Sequence, residues 1–220
     1  MRFLTELVIN GVSVGALYAL LAVGFVVVYR ATQVVNFAQG AFLLIGGITV
    51  AELAPAVGFW WALLVGTATT AAAAVVLQTL LVWRSDTTGH LQLAIVTIGF
   101  DVALTTEATR RIGTSVKSLD DPFGSGSFEV FGILVPHTRV IALVVAVVAL
   151  SVLTWAFRRT RWGTSMRAAA EDREAAALVG IHQRTIWISA WVIAAVLATV
   201  AVVFLTAYPT PGLSAGSCCL

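Results

Sequence analysis

RRTRWGTSMRAAAEDREAAALVGIHQR, residues Arg158 to Arg184, is a polar island in an otherwise apolar chain. It holds six of the thirteen basic residues and three of the eleven acids. Apolar runs of about 20 residues flank it on both sides, the length a helix needs to cross the hydrocarbon core of a bilayer. The island therefore reads as an aqueous loop between two membrane spans. The rest of the chain repeats the pattern of apolar runs and shorter polar turns. Of its 220 residues 59% are hydrophobic and 11% charged, whereas a soluble domain carries about a quarter charged residues. The mean hydropathy is +0.95. Strands of a membrane barrel would alternate in polarity over about 10 residues, which these runs do not. The expected fold class is an all-α polytopic membrane protein: one transmembrane domain over residues 1–220, with about six helices by the length rule and the loop 158–184 inside it.

The spans are expected near residues 7–29, 37–54, 60–83, 91–109, 140–157 and 185–207. In the first, Gly11, Gly15 and Ala19 fall at i, i+4 and i+8, a small-residue stripe that lets another helix approach closely. Packing inside one bundle is the preferred reading of that stripe, a seam with another chain the second. Gly40, Gly46 and Gly47 in the next span imply tight packing or a broken helix, and Pro55 marks its far end. Trp60 and Trp61 open the third span, and Trp187 with Trp191 lie near the island end of the last, all as interface anchors. The connection 112–138 is expected to form a small hairpin or surface loop around Phe128–Val135. With the island inside, the inner loops hold Arg30, Arg84 and the six island arginines. The outer side holds Arg2, Arg110, Arg111, Lys117 and Arg139, a positive-inside bias of eight to five that places both termini outside.

Several kinds of chemistry are not expected. Cys218 and Cys219 are adjacent, which does not make a disulfide framework. The first apolar stretch is too long for the core of a cleaved signal peptide. His90, His137 and His182 fall in separate loops without ligand-like neighbours, so no metal site is expected. No catalytic triad and no glycine-rich phosphate loop stands out, and ATP hydrolysis by this chain is not expected.

The fourth span is the polar one, with Thr97, Asp101, Thr105, Thr106 and Glu107. An intramembrane carboxylate is costly unless paired or hydrated. Asp101 reads equally as a pore-lining or gating group and as a packed carboxylate bonded to Thr97 or Thr105. Glu107 with Arg110 and Arg111 reads as a helix-end ion pair. Asn36 and Gln39 either line a polar cavity near the inner mouth or cap the second helix. In the island, Thr164 or Ser165 can cap a helix that runs to about Val179, with Gly180 as its stop. Six alanines favour that helix. Arg167, Glu171, Glu174 and Leu178 share one face of it; Met166, Ala169, Ala170 and Ala177 share another, interrupted by Arg173. Such a helix docks into a groove on a soluble partner or lies on the lipid headgroups, and the pattern alone leaves both open.

Glu174-Ala175-Ala176-Ala177-Leu178-Val179-Gly180 resembles the E-A-A-x-x-x-G loop of ATP-binding-cassette importer permeases. The wider stretch Gly163, Arg167, Ala168, Ala170, Glu171, Asp172, Ala176, Leu178, Gly180 and Ile181 is similar to the branched-chain amino acid permease family in particular. So is the start, with Gly15, Tyr18, Ala19, Leu20, Ala22, Gly24 and Tyr29, followed by Asn36-Phe37-Ala38-Gln39-Gly40. The resemblance runs from about residue 7 to 207. It departs from the family at Gln39, usually histidine, and at Ala41, often acidic. Family members continue for further spans, so the chain is expected to be truncated at its C-terminus.

The resemblance implies a permease subunit in the bacterial cytoplasmic membrane that moves branched-chain or related amino acids. It implies a coupling role for Arg167, Glu171, Glu174, Ala175, Ala176 and Gly180 against a separate ATPase subunit, which uses the ATP; no cofactor is bound by this chain. Asn36, Gln39, Thr97 and Asp101 are the candidates for the translocation path. A second permease subunit in a heterodimer, an extracytoplasmic substrate-binding protein and membrane lipid are the other partners, and nucleic acid is not one. The alternatives are a secondary transporter or channel that uses Asp101, and an inactive truncated permease.

Overall fold

The computed structural model describes residues 2–85, 90–112, 127–130 and 133–206. The Cys218–Cys219 pair, Lys117 and the end of the last expected span at Ala207 lie outside the described residues. The elements in chain order are α1 (Arg2–Thr32), α2 (Gln39–Val57), α3 (Phe59–Ser85), α4 (His90–Ile112), β1 (Ser127–Val130), β2 (Ile133–Pro136), α5 (His137–Arg159), α6 (Arg161–Glu171), α7 (Arg173–Leu178) and α8 (Gln183–Thr206). Every expected span is helical. Among the described residues five helices are long and apolar enough to cross a membrane: α1 from Gly11, α2, α3 to Leu80, α5 and α8. α4, of 23 residues, carries Asp101, Glu107, Arg110 and Arg111 and is not in that set. The expected hairpin is present, with Phe128 opposite Val135 and Val130 opposite Ile133, and β2 runs straight into α5.

α8 is the hub, packing against α1, α2 and α3. Its most apolar stretch is 56% buried, against 11% for the peripheral α5. Ala190, Ala194, Ala195, Ala198 and Ala201 line its buried faces. In lipid, helices gain little from hiding apolar surface from one another, so small side chains that permit close approach carry the packing. Trp191 fills the centre of this layer, fully buried, with its ring edge-on to Phe42 at 6.2 Å and 83°. It is a core residue and not the interface anchor expected from its place near the helix end; Trp60 and Trp61 remain exposed at 69% and 67%.

The glycines of α2 settle the choice between a broken and a tightly packed helix in favour of packing. α2 continues unbroken from Gln39 to Val57, with Pro55 in its last turn. A Cβ on Gly46 would meet Thr199 Oγ1 of α8 at 2.6 Å, and one on Gly66 of α3 would meet Val50 Cγ2 at 2.5 Å. Buried threonines return their hydroxyls to their own helix, as Thr199 does to Ala195 O at 3.0 Å and Thr70 to Gly66 O at 2.7 Å. No lipid-facing polar group is left over at these positions. Gly46→Ala is therefore expected to destabilise the chain by about 1–3 kcal/mol through overpacking. Thr199→Gly in the same chain should recover part of the loss, read as the thermal midpoint of the detergent-solubilised protein.

Among the described residues the small-residue stripe of α1 faces open space at Gly11 and Gly15. A Cβ on Gly11 or Gly15 meets nothing within 4 Å, and both glycines are exposed, with Ala19 half-buried. α5, α6 and α8 pack on other sides of α1.

Candidate functional site

Two features meet at the island end of the bundle: a helical hairpin outside the spans, and a knot of polar groups beneath it. The hairpin starts where Thr160 leaves α5 in an extended conformation (φ −97°, ψ 155°) and its Oγ1 accepts the Gly163 N–H at 3.2 Å. Thr160 is the N-cap, one turn before the expected Thr164 or Ser165. Gly163, Met166 and Ala169 recur every third residue and are buried. Met166 and Ala169 share a cluster with Val27 and Ala31 of α1 and Ile186 and Ala190 of α8. Trp162, not anticipated, ties α6 to α8 by donating its Nε1–H to Ser189 Oγ at 2.7 Å.

The island does not form one helix to Val179. Asp172 is extended (φ −144°, ψ 112°), and its Oδ1 accepts the N–H groups of Glu174 at 2.9 Å and Ala175 at 3.0 Å. An aspartate that can cap a new helix competes with continuing the old one. The break resets the helical phase. Ala176 turns inward, at 4% exposure, whereas Ala170 and Ala177, expected on the apolar face with Met166, are exposed. Gly180 is the expected stop. At φ +85° it lets its own N–H reach Ala177 O and the Ile181 N–H reach Ala176 O, each at 3.0 Å, closing the last carbonyls of α7. Glu171, Glu174 and Ala175 are exposed, and Leu178 and Val179 stand out at 90% and 80%. Arg167 points elsewhere, lining a groove with Arg30 and Arg158.

The knot is built on residues 33–38, which join α1 to α2. Asn36 braces this turn: its Oδ1 accepts the Ala38 N–H at 3.0 Å and its Nδ2 donates to Gln39 Oε1 at 3.2 Å. Gln39 Nε2 in turn donates to Ala194 O on α8 at 3.3 Å. From α4, Thr97 Oγ1 accepts the Phe37 N–H at 3.2 Å and Asp101 Oδ1 accepts the Ala41 N–H at 2.7 Å. Asn36, Gln39 and Thr97 are buried; Asp101 is half-buried. The carboxylate is bonded neither to Thr97 nor to Thr105. It caps the first turn of another helix, where free N–H groups and the helix dipole both favour a negative charge. The spacing explains it: Thr97 and Asp101 are one turn apart, and so are the amides they hold. A Cβ on Gly40 would lie 3.1 Å from Asp101 Oδ1, so the glycine is what lets α4 come this close. All four candidate path residues come together here, each bonded to backbone, and Asn36 and Gln39 also to one another.

A bundle of apolar spans, a two-helix loop held on its end and a polar knot that links α1, α2, α4 and α8 together define a multi-pass membrane protein with an exposed helical hairpin. The chain belongs to the family of branched-chain amino acid transport system permease components, whose model matches residues 7–216. It is similar to the high-affinity branched-chain amino acid transport system permease protein LivH of Salmonella typhimurium, 29% identical over 215 residues that cover 89% of this chain and 68% of that one. LivH of Escherichia coli is 28% identical over 213 residues, with the same two coverages. BraD of Pseudomonas aeruginosa, a permease of the same description, is 29% identical over 219 residues, 93% of this chain and 71% of its own length. No solved structure matches the chain. It is a multi-pass protein of the bacterial cytoplasmic membrane and a transport permease.

Proposed function

We propose that the chain is the permease subunit of an ATP-binding-cassette importer for branched-chain or related amino acids, and that α6 and α7 pass the stroke of a separate ATPase to the spans. The observation that carries this reading is the tip of the hairpin. Leu178 and Val179 are 90% and 80% exposed, and the exposed carboxylates of Glu171 and Glu174 lie close to them in the chain. A helix resting on anionic headgroups favours basic residues beside its apolar ones. Apolar residues beside carboxylates suit a protein groove instead.

The route inward follows from the bonds. α7 turns at Gly180 into α8, α6 is pinned to α8 by Trp162, and α8 holds α2 through Gln39. Asp101 carries the link on to α4. Glu171, Glu174 and Ala175 are the surface an ATPase would meet; Ala176 seats α7 on the bundle, and Gly180 ends it. Arg167 lies off that surface, in the groove with Arg30 and Arg158. ATP is consumed by the partner, a second permease subunit completes a heterodimer, and a binding protein delivers substrate at the opposite end. Asn36, Gln39, Thr97 and Asp101 close the path at the island end in this conformation. Proteoliposomes that combine the chain with a second permease, the ATPase and the binding protein are expected to take up a branched-chain amino acid only when ATP reaches the ATPase. Uptake driven by an ion gradient without the ATPase would overturn the proposal.

A further inference from the structure

Between α1, α5 and α6 lies a groove of about 340 Å³ whose rim carries three guanidinium groups, Arg30, Arg158 and Arg167, one from each helix. Among the described residues no carboxylate lines it. Below the rim its walls are apolar, with Val26 of α1 and Leu153 and Phe157 of α5. Both of those helices are long and apolar enough to span a bilayer, and Arg30, Arg158 and Arg167 lie at or beyond their island ends, which would put the walls against acyl chains and the rim at headgroup depth. A second groove, of about 430 Å³, shares Arg158 and adds Arg159, Ser151 and Trp155. Trp155 is 63% exposed, as a tryptophan at the interface should be.

We propose that the Arg30–Arg158–Arg167 groove is a binding site for an anionic phospholipid. Three cations brought together from separate elements repel one another unless an anion sits between them, and a phosphate provides strong acceptor oxygens for guanidinium forks. A soluble phosphate would use only the rim. A phospholipid uses the rim for its headgroup and the Val26–Leu153–Phe157 wall for the start of an acyl chain. Basic pockets between spans are a recurrent form of such sites. The bound lipid would tie α6 to α1 and α5. This inference does not depend on what α7 docks against.

The test uses the purified chain in a neutral detergent, titrated with phosphatidylglycerol, phosphatidylcholine or inorganic phosphate. The readouts are bound lipid by native mass spectrometry and the thermal midpoint. Phosphatidylglycerol is expected to bind and raise the midpoint; phosphatidylcholine and inorganic phosphate are expected to do neither. Near a membrane surface each arginine contributes about fivefold in affinity, so replacing all three by glutamine should weaken phosphatidylglycerol on the order of a hundredfold. If that variant does not fold, Leu153→Trp keeps the charges, fills the wall and should still weaken binding. Equal response to phosphatidylcholine, a full response to inorganic phosphate alone, or undiminished binding by the folded variants overturns the site. So does a self-associated chain in which cross-linking places a second copy in the groove.

Discussion

Glu174→Arg is expected to lower ATP-driven uptake at least about tenfold, equivalent to about 1.4 kcal/mol, while leaving the spans folded. Glu174 lies in the first turn of α7 and is exposed, with its N–H held by Asp172 Oδ1. Two losses combine in the variant. A carboxylate at a helix N-terminus is favourable by about 0.3–1 kcal/mol, and an arginine there is not. α7 has only six residues, too few to be stable alone, and it relies on the Asp172 cap, the Gly180 closure and the buried Ala176. The second loss lies at the docked surface, where disrupting a buried charged contact costs about 2–5 kcal/mol. Hydrogen exchange at the amides of residues 176–181 separates the two effects. If those amides stay protected while ATPase co-purification and uptake fall, the docking contact has been lost. Undiminished uptake would mean that α7 does not meet the ATPase.

The apolar runs announced the spans because each is long and uniform enough that only a membrane helix satisfies its backbone. Gly180 was readable because a glycine after an alanine-rich run has one common use, the left-handed stop. The position of the break at Asp172 was also encoded, in an aspartate two and three residues before the amides it holds. A single helical wheel drawn through the whole island hid that signal and misplaced Ala170 and Ala177. The partner of Asp101 was not readable at all. A backbone N–H sixty residues away has no side chain to mark it, whereas Thr97 and Thr105 one turn away offered visible hydroxyls. Trp191 misled for a related reason. Position along α8 suggested an interface, but the alanines around it open a space that only a large ring fills.

Asp101→Ala is expected to destabilise the chain by about 1.5–3 kcal/mol, the range for losing a hydrogen bond to a charged group, and Asp101→Asn by less than about 1 kcal/mol. Asparagine keeps an oxygen where Ala41 N–H points, at 2.7 Å in the present structure, and gives up only the interaction of a full charge with the helix N-terminus. ATP-driven uptake by the asparagine variant should therefore stay near that of the unaltered chain. An Asn variant that is equally stable yet inactive would make the charge itself part of transport and would favour a proton- or ion-linked mechanism. Thr97→Val completes the test. Thr97 holds the Phe37 N–H one turn below, so the two side chains grip the end of the α1–α2 connection and the first turn of α2 that follows it. Residues that share such a connection couple by about 0.5–3 kcal/mol in double-mutant cycles. The Thr97→Val, Asp101→Ala pair should accordingly depart from additivity. Strict additivity would mean that α4 holds α2 at two independent points and that the knot does not act as one clamp.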